Sequence, residues 1–322
     1  MFFHSFSTTC QAILELVILG AVGFFLIRGK IISEEGLNTL SGLVIGLFLP
    51  LLMFSEITAR FSFRQFSDWW VFPLLSVLMT AVGYLLGLLL VGLDRSLIQQ
   101  EGPFLGIAMF QNSGYLPLPL VASLLAPGAV SDMFIYIFLF LLGFNMTIFS
   151  FGVFVLSCKG RACSFDYKDM FNAPVIATLL ALAAVFFGWT RFIPPFVSKP
   201  VEMMGRCAIP LSIIVVGGNL ALIRIRSLKH VRPLVLSLIV KLLFVPLVFL
   251  VFVLLVKPKP LVGLLLMLQA CMPPAALLSV IAKNQKLEEG LINQAIFYGH
   301  VASIFTIPLF LGLYGVFSGF FN

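Results

Sequence analysis

One apolar stretch, residues 104–125, constrains the fold more than any other part of the chain. It is long enough to cross a bilayer, since about 20 apolar residues span the hydrocarbon core as a helix. Each proline inside a helix removes a backbone donor and clashes with the preceding turn, at a cost of about 3 kcal/mol. We therefore predict a broken helix whose freed backbone groups face protein, water or a ligand, because lipid offers no hydrogen bonds. The interrupting residues in its centre are Asn112, Ser113, Gly114, Pro117 and Pro119.

A second apolar stretch, residues 263–281, carries a similar interruption at two adjacent prolines. At an offset of 157 residues, Asn112 of the first stretch aligns with Gln269 of the second. Paired proline-interrupted spans at corresponding places in two halves are typical of transporters built from inverted repeats. We therefore predict that Asn112 and Gln269 lie at the centres of two broken helices. The predicted helix-breaking residues are Pro117, Pro119, Pro273 and Pro274.

The composition places these stretches in a membrane. The 322 residues are 61% hydrophobic and 10% charged, with a mean hydropathy of +1.12. A soluble domain of this size needs a more highly charged surface. The sequence therefore predicts an all-α polytopic membrane protein, with the lipid bilayer as a partner. The net charge of +7 then belongs mainly to cytoplasmic loops, and it does not indicate a nucleic-acid partner.

The apolar spans predict the domain organisation. The connector 158–171 divides them into two five-helix repeats, residues 1–157 and 172–322. An odd number of spans per repeat inverts the second repeat relative to the first, as an inverted repeat requires. Spans 4 and 9 are the two broken helices. The ten predicted spans lie near residues 8–27, 37–58, 69–93, 103–126, 132–157, 173–190, 200–222, 233–256, 260–282 and 290–317.

The basic residues of the connectors predict the orientation. One set of alternate connectors holds about twice as many Lys and Arg residues as the other set. Cytoplasmic loops carry the excess of positive charge in membrane proteins. We therefore expect the more basic connectors in the cytoplasm and both termini outside.

Five short motifs carry a resemblance to a known family. In these motifs and their order, the chain resembles the auxin efflux carrier family, and its short connector resembles the bacterial members. The resemblance implies an inner-membrane protein with a PIN-like or bile-acid-symporter-like fold, in which helices 4 and 9 cross at mid-membrane. Helices 1, 2, 6 and 7 would form a scaffold, often a homodimer, and helices 3–5 and 8–10 a mobile transport domain. The motifs are Gln111-Asn-Ser-Gly-Tyr-Leu-Pro-Leu-Pro-Leu120, Cys207-Ala-Ile-Pro-Leu-Ser-Ile-Ile-Val-Val-Gly-Gly-Asn-Leu220, Lys241-Leu-Leu-Phe-Val-Pro246, Ala270-Cys-Met-Pro-Pro-Ala275 and Ser303-Ile-Phe-Thr-Ile-Pro-Leu309.

The amides of Asn112 and Gln269 are the principal candidates for substrate binding. Carboxamides hydrogen-bond carboxylates or ligate cations, and the amino ends of half-helices favour negative charge. Ser113, Gly114 and Cys271 are secondary candidates, and Gly114 would let the backbone approach a ligand closely. The alternative is that both amides only satisfy backbone groups freed by the breaks.

Two ionisable residues inside predicted spans are further candidates. Lys241 either attracts an anion, or changes protonation during transport, or is a structural tie to backbone carbonyls. His300 shares a helix face with Ser303, and its counterpart region in the first repeat contains Asn145. His300 is either a pH-sensitive gate or proton carrier, or a packing histidine held by hydrogen bonds.

These residues favour a secondary transporter of a small organic anion, such as malate, malonate or an auxin-like acid. The expected mechanism is elevator-type alternating access. A sodium-coupled carrier similar to bile acid symporters is the alternative, and the coupling ion, sodium or a proton, stays open. An intramembrane enzyme or a sensor is a third interpretation, although only His300 and Ser303 approach a catalytic pair. We expect no enzymatic activity, no metal site and no cofactor.

Overall fold

The computed structural model describes residues 2–157, 167–223 and 230–320. These residues form helices joined by turns, with one isolated β-bridge. Most of the predicted connector 158–171, and the basic loop residues 224–229, lie outside the described residues. The α-helices are α1 (Phe2–Arg28), α2 (Glu34–Leu43), α3 (Leu49–Arg60), α4 (Val71–Leu93), α5 (Glu101–Met109), α6 (Pro117–Leu124), α7 (Pro127–Thr147), α8 (Val153–Ser157), α9 (Ala173–Phe186), α10 (Pro195–Arg206), α11 (Ala208–Leu222), α12 (Val231–Ile239), α13 (Val245–Val256), α14 (Pro260–Cys271), α15 (Leu277–Asn284) and α16 (Gly290–Ser318).

Short π-helical segments join α2 to α3, α7 to α8 and α12 to α13. Pro50 and Pro246 each follow such a segment, at the second position of the next helix. Because proline has no N–H to donate to the preceding turn, a widened turn is tolerated there. Each joined pair therefore forms one continuous span. The segments are Val44–Phe48, Ile148–Gly152 and Val240–Phe244.

Seven helices of the described residues are long and apolar enough to cross a membrane, so the protein is an all-helical polytopic membrane protein. Of the other three predicted spans, spans 4 and 9 form interrupted helices, and span 6 contains the 14-residue helix α9. Helix α9 ends just before Gly188, whose φ of 68° is left-handed and costs glycine little. The seven are Ser5–Arg28, Glu34–Arg60, Val71–Leu93, Pro127–Ser157, Pro195–Leu222, Val231–Val256 and Gly290–Ser318.

Glycine allows two pairs of helices to approach at backbone distance. Gly217 of α11 lies directly against the carbonyl group of Gly20 in α1. Gly205 of α10 lies against the backbone of Leu52 in α3 in the same way. Small residues at such contacts increase van der Waals packing between membrane helices, where lipid weakens the hydrophobic drive for association. Helices 1, 2 and 7 of the predicted scaffold are therefore closely packed.

The Gly217→Val variant is expected to unfold at a lower temperature than the wild type. The added side chain would overlap backbone atoms of α1, and overpacking of this kind costs about 1–3 kcal/mol. Thermal unfolding of the protein in detergent measures the effect. Gly42→Ala is the matched control, because a Cβ atom there meets nothing within 4 Å and alanine favours a helix. Equal melting temperatures for Gly217→Val and the wild type would contradict the close contact.

Candidate functional site

The two interrupted helices confirm both predicted breaks. The first helix runs as α5, stops at Met109 and resumes as α6 at Pro117. The second runs as α14, stops at Cys271 and resumes as α15 at Leu277. Residues 110–116 and 272–276 therefore form the first break and the second break.

The backbone of each break is paired with the backbone of the other. The N–H of Asn112 donates to the carbonyl oxygen of Pro273 at 2.8 Å. The N–H of Ala275 donates to the carbonyl oxygen of Phe110 at 3.0 Å. These bonds belong to a short antiparallel β-bridge. Backbone groups freed by the breaks therefore find protein partners, which lipid would not supply.

The four helix-breaking prolines occupy two kinds of position. Pro273 and Pro274 lie inside the second break, as predicted. Pro117 and Pro119 instead lie in the first turn of α6, so their prediction as break residues was wrong in position. Proline suits a first helical turn because the N–H that it lacks would have no acceptor within the helix. These two prolines start the second half-helix.

Four helix ends border the two breaks. Helices α6 and α15 begin there, and the helix dipole places partial positive charge at their N-terminal ends. Helices α5 and α14 end there, and their C-terminal ends carry free carbonyl oxygens and partial negative charge. The crossing therefore offers both signs of partial charge at short range.

Gln269 lies outside the second break, contrary to the prediction. It occupies the last turn of α14 and is fully buried. Its Nε2 donates to the carbonyl oxygen of Ser113 at 3.3 Å, and its Oε1 has no hydrogen-bond partner. The 157-residue offset failed here because α5 and α14 end 162 residues apart, at Met109 and Cys271. Gln269 therefore contacts the first break with its side chain.

Asn112 lies inside the first break, as predicted, and both ends of its amide are hydrogen-bonded. Its Oδ1 accepts from the backbone N–H of Tyr115 at 3.2 Å. Its Nδ2 lies 3.3 Å from Nε2 of His300, a buried residue of α16. The Nδ1 atom of His300 lies 2.8 Å from the carbonyl oxygen of Ile296. Asn112 therefore links the first break to α16.

Lys241 lies in the π-helical segment between α12 and α13 and is fully buried. Its Nζ donates to Oε1 of Gln111 at 3.1 Å. Gln111 in turn donates from Nε2 to the sulfur of Met79 at 3.3 Å, which fixes its amide. The ion pairs of the described residues do not include Lys241. A buried amino group therefore reaches the first break through one side-chain amide.

A cavity of about 120 Å³, which we call the crossover cavity, lies at the first break. Its opposite wall comes from α3, α9, α11 and the segment Val44–Phe48. The hydroxyl oxygen of Ser113 is buried without a hydrogen-bond partner. At about 30 Å³ per water molecule, the space suits about four waters or a small organic ion. Its polar and glycine lining consists of Gln111, Asn112, Ser113, Gly114, Tyr115, Asn145, Asn172 and Ser212.

The structure places the predicted site residues in four different positions. Asn112, Ser113, Gly114 and Asn145 line the crossover cavity. Gln269, Lys241 and His300 do not line it but hydrogen-bond to residues of the first break. Ser303 lines a separate apolar cavity with His300, and its hydroxyl donates to the His300 carbonyl oxygen at 2.7 Å. Cys271 is buried at the end of α14 and lines neither cavity.

Sequence reasoning missed four polar residues of the crossover cavity. Gln111 had a signal, because it precedes Asn112 in the same motif. Asn172 donates from Nδ2 to Oδ1 of Asn145 at 3.3 Å. Ser212 donates to the carbonyl oxygen of Tyr115 at 3.0 Å. Asn172, Ser212 and Tyr115 lie on three different spans, so only the tertiary fold brings them together.

A larger cavity of about 980 Å³, which we call the vestibule, lies beside the crossover cavity. It is bounded by the ends of α1, α11 and α15 and the beginnings of α2 and α16. Ala276, in the second break, lines both cavities. The vestibule therefore lies between the crossing and one end of the molecule. Its charged lining residues are Arg28, Lys30, Glu34, Lys283 and Glu289.

Interrupted helices that meet beside a polar cavity, in an all-helical membrane protein, are typical of membrane transporters. The chain belongs to the membrane transport protein family, which includes auxin efflux carriers and matches residues 8–164 and 161–311. An uncharacterized transporter of Methanocaldococcus jannaschii is 27% identical over 308 residues, 93% of this chain and 96% of that protein. Protein PIN-LIKES 2 of Arabidopsis thaliana is 31% identical over 113 residues, 34% of this chain and 25% of that protein. The predicted family is confirmed, and the names of the family and of these relatives indicate a transporter.

Proposed function

We propose that the protein is a secondary transporter that moves a small organic anion through the crossover cavity. The observation that carries this proposal is the convergence of cationic and donor groups at the crossing. These groups are the buried amino group of Lys241, the N-terminal ends of α6 and α15, and the Nδ2 amide nitrogen of Asn112. Each of them favours negative charge on a ligand.

A carboxylate on a small, partly apolar body fits the cavity best. The unpartnered hydroxyl of Ser113 and one N–H of Asn112 supply neutral donors to a carboxylate oxygen. Val44, Phe144 and Phe149 add apolar surface to the same cavity. Malate, malonate and auxin-like acids therefore define the substrate class to be tested.

A sodium-coupled carrier is the second candidate, and Gln269 is the observation that favours it. Its buried Oε1 lacks a partner, and a cation would satisfy it together with carbonyl oxygens of the breaks. The amino group of Lys241 opposes a second cation at the crossing. Among the residues that the structure describes, no group of three or more His, Cys, Asp or Glu side chains is placed to hold a metal ion. Coupling to sodium or to protons is therefore decided by measurement.

We propose ten membrane spans in two inverted repeats, residues 1–157 and 172–322, joined by the connector 158–171. Helix packing supports a scaffold of spans 1, 2, 6 and 7, because α1 packs on α11, and α3 packs on α9 and α10, although α1 also packs on α16 of span 10. It also supports a transport domain of spans 3–5 and 8–10. In that domain α4 packs on α5 and α7, and α14 packs on α13 and α16. A homodimer through the scaffold stays a prediction.

An asymmetry between the two ends supports elevator-type alternating access. At one end, the vestibule separates spans 1, 2 and 7 from spans 9 and 10. Toward the other end, Ser123 of α6 donates to the carboxylate of Glu15 in α1. Scaffold and transport helices are therefore closed together there. With both termini outside, this conformation is open to the cytoplasm.

Thermal unfolding tests the substrate class and the site together. The purified protein is heated with malate, malonate, benzoate or indole-3-acetate, with and without sodium. A ligand at a hundred times its Kd adds about 2.7 kcal/mol to the free energy of unfolding, which raises the melting temperature. Asn112→Ala is expected to abolish the carboxylate shift, whereas Asn38→Ala in the vestibule is expected to retain it. Shifts with cations or neutral solutes alone would overturn the anion assignment.

A further inference from the structure

His300 has one hydrogen-bonding state that fits its surroundings. Its Nδ1 lies 2.8 Å from the carbonyl oxygen of Ile296, and a carbonyl oxygen only accepts. The proton therefore resides on Nδ1. In a neutral imidazole with a proton on Nδ1, Nε2 is an acceptor. The ring thus presents a lone pair, 3.3 Å from Nδ2 of Asn112.

This lone pair fixes the orientation of the Asn112 amide. Nδ2 of an amide only donates, so Asn112 donates to His300, while its Oδ1 accepts from Tyr115. A flipped amide would place Oδ1 against the lone pair of His300 and the NH₂ group against the N–H of Tyr115. Both contacts would then be repulsive, and both groups would be buried without partners. The observed orientation is the one that satisfies all three residues.

The backbone of α16 explains why residue 300 is in reach of the first break. Gly299 lies against the ring of Pro274, where a Cβ atom would come within 2.6 Å of the proline Cδ. Helix α16 therefore contacts the crossing at backbone distance. The next residue, His300, also lines the apolar cavity of about 220 Å³ between α1, α11 and α16. This apolar cavity leaves room for a side chain of another shape at position 300, so substitutions of His300 are expected to be tolerated.

We propose that His300 is a positioning residue, which orients Asn112 as a hydrogen-bond donor to the transported carboxylate. The inference rests on the proposed function, since Asn112 lines the crossover cavity. An amide nitrogen carries two hydrogens, and His300 takes one of them. The second hydrogen then serves the ligand, and Oδ1 stays bound to the backbone of the break. His300 acts through Asn112 and does not itself contact the substrate.

The first test is spectroscopic and requires no ligand. Nitrogen-15 NMR of protein labelled at histidine reports which ring nitrogen carries the proton, and His300→Gln assigns the His300 signals. The neutral form with the proton on Nδ1 is expected, and its Nε2 signal is expected to shift in Asn112→Ala. A proton on Nε2 instead, or an Nε2 signal that does not shift in Asn112→Ala, would overturn the proposal.

The second test compares binding of malonate and indole-3-acetate to two variants by thermal unfolding. The acid to be compared is the one that raises the melting temperature of the wild type. His300→Leu removes the acceptor and is expected to weaken the binding of that acid about tenfold. His300→Gln keeps an acceptor and is expected to restore most of the affinity, with ligand-free melting temperatures similar in both. Unchanged affinity in His300→Leu would overturn the proposal. If no acid shifts the wild type, the substrate class fails, while the NMR result still decides the His300–Asn112 bond.

Discussion

The Lys241→Met variant is expected to lose about thirtyfold in carboxylate affinity, without a loss of stability. At an effective dielectric of 20, a unit charge about 8 Å from a carboxylate contributes about 2 kcal/mol, and this corresponds to about thirtyfold. Methionine has a similar length and no charge. The variant therefore removes the attraction while it keeps the volume of the side chain.

Stability is expected to stay about equal, because the burial of Lys241 is itself costly. The amino group has the Gln111 amide as its hydrogen-bond partner and belongs to none of the described ion pairs. Methionine removes the desolvation cost of a buried charge, and this gain offsets the loss of about 1–3 kcal/mol that follows when the buried Oε1 of Gln111 loses its donor. A purely structural lysine would behave in the opposite way, because its loss would lower the melting temperature and spare ligand affinity.

Two measurements on one sample separate these interpretations. The ligand-free melting temperature reports stability, and the carboxylate concentration dependence of the melting temperature reports affinity. Lys283→Met is the matched control, because it removes an exposed lysine of the vestibule. Lower stability with unchanged affinity in Lys241→Met would contradict a role in anion binding.

The sequence was sufficient to predict that both helices are broken, but insufficient to predict the residues at which each break begins and ends. Two closely spaced prolines at membrane depth disfavour a continuous helix, so the interruptions of 104–125 and 263–281 were expected from local chemistry. Whether a proline lies in the break or in the helix that follows it is less determined, since Pro117 starts a helix whereas Pro274 lies in a break. The two halves also carry breaks of different length. One constant offset therefore does not align Gln269 with Asn112.

The candidate site was only partly predictable for a related reason. Asn112, Lys241 and His300 stand out because polar side chains are rare in apolar spans. Their partners do not stand out. Gln111 faces Lys241, and Ser113 faces Gln269, only because distant spans pack against the break. Hydrogen bonds between residues far apart in sequence depend on the assembled fold, which no local pattern contains.

Alternating access makes a stronger prediction about the contact between Glu15 and Ser123. This contact joins α1 of the proposed scaffold to α6 of the proposed transport domain. If the transport domain moves past the scaffold, the two residues separate in every cycle. A covalent link between these positions would therefore hold the carrier in the present conformation and stop net movement of substrate.

The Glu15→Cys/Ser123→Cys double variant is made in a chain without the five native cysteines. When the two cysteines are linked, substrate uptake is expected to fall at least about tenfold. A reducible bis-thiosulfonate reagent forms the link, and uptake of a radiolabelled carboxylate into proteoliposomes is measured before linking, after linking and after reduction. The matched control is Phe63→Cys/Phe186→Cys, whose native ring centroids are 5.9 Å apart near the ends of α3 and α9, with Phe186 exposed. Linking this pair is expected to leave uptake unchanged. Full uptake by the linked Glu15–Ser123 pair would exclude movement of α6 past α1, whereas recovery on reduction would support the elevator mechanism.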